Sequence, residues 1–242
     1  MKGKQDRSRN ESGTNRAMRI SGPRDFASTF GVPRETVEKL EAYAVLLANW
    51  QEAVNLVAPS TIDQIWHRHF ADSAQILSHA QDAKCWLDLG SGAGFPGLVI
   101  AILLANHEDH VVHLIESNGR KSAFLSEVVR RTGAPAVVHA RRIEEIASEN
   151  SVPTVDVVTS RALAPLNSLL GLACGFFGEN TVGLFLKGRD AEQEIGEAAK
   201  HWVFEYGCMP SRTSGDGRIV EIRKLVLRNS VTEIDSTISE GD

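Results

Sequence analysis

The stretch WLDLGSGAGFPG, residues 86–97, decides how this chain folds. A short apolar run from Cys85 to Leu89 gives way to glycines at 90, 92 and 94, and Pro96 then suits the first turn of a helix. Strand, tight turn and helix in that order open a parallel α/β sheet, where ligands bind beyond the carboxyl ends of the strands. Glycines let the main chain approach a ligand that side chains would block. GAGFPG (92–97) also satisfies the dinucleotide pattern G-x-G-x-x-G, but in a late register: Gly90-Ser91 intervene, and Pro96 starts the helix too soon for a pyrophosphate. Asp88 at the loop mouth repels a pyrophosphate and suits an ammonium or a sulfonium. Glu116, which closes VVHLIE (111–116), can accept hydrogen bonds from both hydroxyls of an adenosine ribose. Asp88, Gly90, Gly92 and Glu116 together point to S-adenosylmethionine. NAD and a turn that binds nothing stay open as alternatives.

Outward from this loop the chain reads as two parts between two polar ends. Residues 25–83 form a small helical N-terminal cap, with apolar residues three and four apart in RETVEKLEAYAVLLANWQEAV (34–54) and a second helix over TIDQIWHRHFADSAQILSHA (61–80). Residues 84–228 alternate short apolar runs with amphipathic stretches. Strands are expected at CWLDL, VVHLIE, AVVHA, VDVVTS and TVGLFL, and helices at 96–106, 118–132, 143–147, around 165–177 and at 190–201. HWVFEYG (201–207) and IVEIRKLVL (219–227), joined by the turn-rich SRTSGDGR, predict a terminal hairpin that adds an antiparallel strand to a mostly parallel sheet. Residues 1–24, basic, and 229–242, acidic, lack apolar periodicity and are expected to be disordered.

Composition narrows the class. The chain has 242 residues, 42% of them hydrophobic, enough for one α/β domain and a modest appendage. No apolar run reaches about eighteen residues, so no membrane span is expected, and the N-terminus lacks the apolar segment of a secretory signal. Three dispersed cysteines (Cys85, Cys174, Cys208) without a C-x-x-C pair fit a reducing cytoplasm. The net charge of −5 does not advertise nucleic-acid binding, yet paired cations at Arg120-Lys121, Arg130-Arg131 and Arg141-Arg142 leave room for a local basic face. A metal site is not expected: His67 and His69 stand two apart on a helix and face away from each other. The sequence is silent on oligomeric state, with a monomer as the working expectation.

Seven motifs carry a family likeness: NLVAPS (55–60), RHFADS (68–73), DLGSGAGFPG (88–97), NGRKSAFL (118–125), RRIEE (141–145), SRALAPL (160–166) and LKG (186–188). Over roughly residues 26–227 the chain resembles the small-subunit ribosomal RNA methyltransferase G family, also named glucose-inhibited division protein B. The resemblance implies a Rossmann-like S-adenosylmethionine-dependent methyltransferase fold with a helical cap, in the cytoplasm. It implies methyl transfer to guanine N7 of 16S ribosomal RNA, with that RNA or the small ribosomal subunit as partner. Position-matching assigns cofactor contacts to Gly90, Phe95, Ile143, Glu144 and Arg161. The glycine loop alone also permits another RNA or a small molecule as substrate, an NAD-dependent oxidoreductase, or a non-catalytic RNA-binding scaffold.

Guanine N7 carries a lone pair and no proton, so its methylation is an in-line displacement that needs alignment and no general base. No Ser-His-Asp or Cys-His arrangement is required. Arg161 and Lys187, ending two strands at SRALAPL and LKG, are the positioning candidates. Arg68, His69, Arg120, Lys121 and Lys187 are candidates for contacting RNA, each with a plain surface role as the alternative. Asn55 and Asp72 are candidates for ordering the cap, while Trp66 and Trp86 read as core.

Overall fold

The computed structural model describes residues 19–228. Seven strands form one sheet in the order β3-β2-β1-β4-β5-β7-β6. β1 (Cys85–Leu89), β2 (Val111–Ile115), β3 (Ala136–His139), β4 (Val157–Arg161) and β5 (Val182–Lys187) run parallel. Their near-continuous apolar runs suit strands covered on both faces. β6 (Trp202–Pro210) and β7 (Arg218–Leu227) form the expected hairpin, but β7 inserts between β5 and β6 and pairs antiparallel with both. Only β7 therefore opposes the sheet. The chain leaves β1 first towards β2 and β3, then returns to lay β4 on its other side, so the switch point lies between β1 and β4.

One face of the sheet carries α1 (Pro23–Phe30), α2 (Arg34–Gln51), α4 (Gly97–Leu103) and α5 (Gly119–Thr132). The other carries α6 (Ile143–Glu149), α7 (Leu166–Ala173) and α8 (Ala191–Ala198). α5 shows how locally written its ends are. Asn118 Oδ1 accepts from the amides of Arg120 and Lys121, and Gly133 ends the helix in the left-handed region at φ 63°. The helical cap has no core of its own. Phe26, Tyr43 and Phe70 share one apolar cluster with Phe95 and Phe124 of the sheet-binding layer, and Trp86 is fully buried beneath them.

Three boundaries differ from the sequence reading. Ile20 is 3% exposed and α1 begins at Pro23, so ordered chain starts before residue 25; the rest of the expected disordered arm and the tail 229–242 lie outside the described residues. Several helices are shorter than expected: α4 spans Gly97–Leu103 within the expected 96–106, and α8 spans Ala191–Ala198 within 190–201. The single helix expected over 61–80 is broken instead. It runs as a 3-10 segment (Pro59–Gln64), a π turn (Trp66–Ala71), the one-turn α3 (Asp72–Ala74) and a second 3-10 segment (Gln75–His79). Side chains draw its carbonyls out of a regular ladder: Arg161 Nη1 donates to Arg68 O at 3.0 Å, and Ser73 Oγ donates to His69 O at 2.7 Å.

Candidate functional site

Two cavities open along the carboxyl ends of the strands, of about 440 and 570 Å3, and they share two wall residues, Arg161 and Ala162. Both volumes fall in the range of small-molecule sites, about 300–1,000 Å3.

The smaller cavity has the glycine loop as one wall. Gly90, Gly92 and Gly94 take left-handed φ values of 64°, 56° and 94°, which coil the loop tightly after β1. Leu163 closes over Gly90, where an added Cβ would lie 2.6 Å from its Cδ1. Glu116 is buried, and both its oxygens are oriented by amides: Oε2 accepts from Gly92 N at 2.9 Å and Oε1 from Asn118 N at 2.7 Å. Each oxygen keeps a lone pair for a further donor. Ile143 and Glu144, at the start of α6, complete the far wall. Bare glycine main chain, a carboxylate with acceptor capacity and an apolar side chain fit an adenosine-bearing cofactor. Gly90, Gly92, Phe95, Glu116, Ile143, Glu144 and Arg161 all line this cavity.

Asp88 corrects the sequence reading, which puts it at the loop mouth. It is 0% exposed and lies beneath the loop, off the cavity wall. Its Oδ2 accepts from Gly97 N at 3.2 Å, so it anchors the first turn of α4 against β1. Gly97 is required there because a Cβ would sit 2.6 Å from Asp88 Cβ and from Leu114 Cδ2. Asp88 Oδ1 is buried without a hydrogen-bond partner among the described residues. Burial pushes the Asp88 carboxyl up to about 7, with the Gly97 amide and the Arg161 charge pulling the other way.

Arg161 joins the cavities to the cap. Its Nη1 donates to Arg68 O and to Asp72 Oδ2 (3.2 Å), its Nη2 meets His69 Nδ1 at 2.8 Å, and its guanidinium carbon lies 4.9 Å from the Phe95 ring centroid. Ala162 follows at φ 54°, a left-handed conformation uncommon outside glycine. His69 is a second correction. The sequence offers it as a surface or RNA-contacting residue, but it is 7% exposed and stacks on Phe95 at 4.7 Å. Because Arg161 can only donate, His69 Nδ1 is the acceptor, and Nε2–H faces Thr61 Oγ1 at 2.8 Å. Burial, then the Arg161 and Arg68 charges, lower its pKa to about 3, so the ring stays neutral.

Lys187 lines the larger cavity, but its ammonium is already engaged. Its side chain is 9% exposed, paired with Glu194 at 2.6 Å and donating to Ala164 O at 2.8 Å. Glu194 Oε2 also accepts from Leu166 N at 2.6 Å, so the pair ties down the SRALAPL loop. Arg68 is exposed on the wall of the larger cavity, Arg120 is exposed on α5, and Lys121 lines the smaller cavity. Asn55 accepts from Gln51 Nε2 at 3.4 Å on the surface of the cap and lines neither cavity, although its neighbour Leu56 lines the smaller one. Tyr43 was not singled out by its helical spacing, yet its hydroxyl donates to Ala93 O and braces the glycine loop from the cap. Among the described residues no group of three or more His, Cys, Asp or Glu side chains could hold a metal ion, and no helix is long and apolar enough to cross a membrane.

Comparisons with known proteins agree with this geometry. The family described as rRNA small subunit methyltransferase G matches residues 36–218. Ribosomal RNA small subunit methyltransferase G of Methylorubrum populi is 48% identical over 80% of this chain and 91% of its own length. Its namesake from Rhodospirillum centenum is also 48% identical, over 84% and 91%. In fold, the chain is similar to an O-methyltransferase from Bacillus cereus solved in complex with SAH, at a TM-score of 0.54 and 15% identity, covering 82% of this chain and 96% of that one. The chain belongs to the rRNA small subunit methyltransferase G family.

Proposed function

We propose that the protein transfers a methyl group from S-adenosylmethionine to N7 of a guanosine in 16S ribosomal RNA, with the cofactor in the smaller cavity and the base in the larger one. The observation that carries this assignment is the wall the cavities share, Arg161 and Ala162 at the end of β4. A group passing from one ligand to the other crosses there.

Glu116, held by two amides, is the acceptor for the ribose hydroxyls, and Ile143 packs against the adenine. Gly90 and Gly92 let main chain approach the remainder of the cofactor. When bound, the cofactor supplies an electrophilic methyl on a sulfonium sulfur. The protein's own task is alignment, because N7 has no proton to remove. Arg161 supports this reading because three cap residues and Phe95 of the glycine loop restrain its guanidinium. Neutral His69 keeps positive charge from accumulating beside it. Lys187 acts as a clasp on the loop after β4 and not as a phosphate contact. Exposed Arg68, Arg120, Arg142 and Arg189 are assigned to the RNA backbone, with the 16S RNA or the small ribosomal subunit as partner. The cytoplasm is the compartment in which both partners meet and in which three unpaired cysteines remain reduced.

The test is transfer of labelled methyl from S-adenosylmethionine to small subunits purified from a strain lacking the enzyme, with the product base mapped. Label on N7 of one 16S guanosine is expected. Label on another base or on a small molecule overturns the proposal.

A further inference from the structure

The larger cavity is closed on one side by the connection between β6 and β7, residues 211–217, which comes from the far end of the chain. A buried amide, Gln75, and the Asp72 carboxylate join it to the cap. Gln75 is 1% exposed and lines neither cavity. Its Oε1 accepts from Arg212 N at 2.8 Å, which fixes the orientation of the amide. Its Nε2 then faces four oxygens: Asp72 O and Oδ1, both at 3.0 Å, Ser211 Oγ at 3.1 Å and Thr213 Oγ1 at 3.3 Å. Thr213 Oγ1 in turn donates to Asp72 Oδ1 at 2.7 Å. Asp72 therefore takes Gln75 and Thr213 on one oxygen and Arg161 on the other.

We propose that Gln75 and Thr213 are positioning residues for methyl transfer: by orienting the Asp72 carboxylate they set the Arg161 guanidinium at the wall between the cavities. Buried polar networks of this kind hold one geometry only while every member is satisfied. Gln75 reaches the smaller cavity only through Arg161, one residue of its wall, so the effect falls far more on turnover than on cofactor affinity. The inference rests on the two-cavity reading above.

The experiment compares full-length Gln75→Met, Thr213→Val, Thr213→Ser, Arg161→Lys and the Gln75→Met/Arg161→Lys double variant. Gln75→Met and Thr213→Val are each expected to lower kcat on unmodified small subunits roughly 10- to 100-fold, the scale of a small misplacement of reacting groups. Affinity for S-adenosylmethionine by calorimetry stays within about twofold, and hydrogen exchange at the Arg212 amide accelerates in Gln75→Met. Thr213→Ser, which keeps the hydroxyl, retains most of the rate. The double variant is no slower than Arg161→Lys alone, because both changes act through one guanidinium. Normal turnover by a folded Gln75→Met enzyme overturns the proposal, as do losses that multiply in the double variant. If Gln75→Met does not fold, the two Thr213 variants decide, and equal rates for them overturn it. Slow Arg161→Lys with normal Gln75→Met and Thr213→Val sinks this inference alone, whereas full activity in Arg161→Lys sinks the two-cavity reading beneath it.

Discussion

The two cavities meet at Arg161 and Ala162 but are made of different material. The smaller is built around a bare main-chain loop, with glycines where a side chain would intrude and a carboxylate held by backbone amides. The larger is built from side chains contributed by remote segments: 68–72, the ends of β4 and β5, α8 and the 211–218 region. Most of its charges are cancelled in pairs, Arg161 with Asp72, Lys187 with Glu194 and Arg189 with Asp216. A cavity of the first kind is broken by adding atoms, and one of the second kind by removing them.

Adding an atom at Gly94 is expected to have the largest effect. Its φ is 94°, and a Cβ would lie 2.6 Å from Tyr43 Oη and 2.8 Å from Leu98 Cβ, both packed in the core. Gly94→Ala should lose about 3 kcal/mol or more in denaturant unfolding, together with cofactor binding. Gly92→Ala sharpens the contrast. The nearest atom to its Cβ is Gly90 O at 3.8 Å, so only backbone strain of about 1 kcal/mol remains, and affinity falls more than stability.

Removing the shared guanidinium comes next. Arg161→Ala leaves Asp72 without its cationic partner and should cost about 2 kcal/mol, since the pair is intermediate between buried and surface. Transfer falls by a larger factor than cofactor affinity. Sequence alone casts Arg161 as a positioning residue; the cross-link to the cap adds a cost in stability. Arg161→Lys, which keeps the charge but loses the fork, separates the two effects.

The carboxyl beneath the glycine loop gives a pH signature. Asp88 titrates at about 7 in the folded chain and near 3.8 when unfolded, so the native state holds the extra proton between those values. Stability of the cofactor-free protein contributed by this group is present below about pH 4 and is lost as pH rises towards 7. His69, lowered to about 3, acts oppositely: its contribution is present above about 6.5 and is lost as pH falls through 3. Melting curves of Asp88→Asn, which keeps the acceptor for Gly97 N, should gain on wild type as pH rises from 4 to 7. A constant difference across that range would show that Asp88 titrates normally. The smallest effect is expected at the rim, where Arg120→Ala should change stability by less than about 0.5 kcal/mol and reduce the salt slope of RNA binding by about one.

The same contrast separates what could be read from sequence from what could not. Cys85–Leu89, the glycine turn and the capped α5 are local patterns, and the strands of the sheet follow from runs of apolar residues. The terminal hairpin was also legible, though not that β7 would sit between β5 and β6. Side-chain direction was hidden wherever a partner lies far away. Nothing near Asp88 reveals that Gly97 turns it under the loop, and the interruption of helix 61–80 depends on an arginine 93 residues beyond Arg68. Lys187 looks like a free cation until α8 brings Glu194 to it, and His69 looks exposed until Phe95 covers one face.

The antiparallel insertion of β7 has a consequence for synthesis. The lining of the smaller cavity ends at residue 172, whereas the larger needs residues 211–218. Residues 211–218 are the last of either lining to be synthesised, so the wall that faces the base is assembled from the final stretch of the chain.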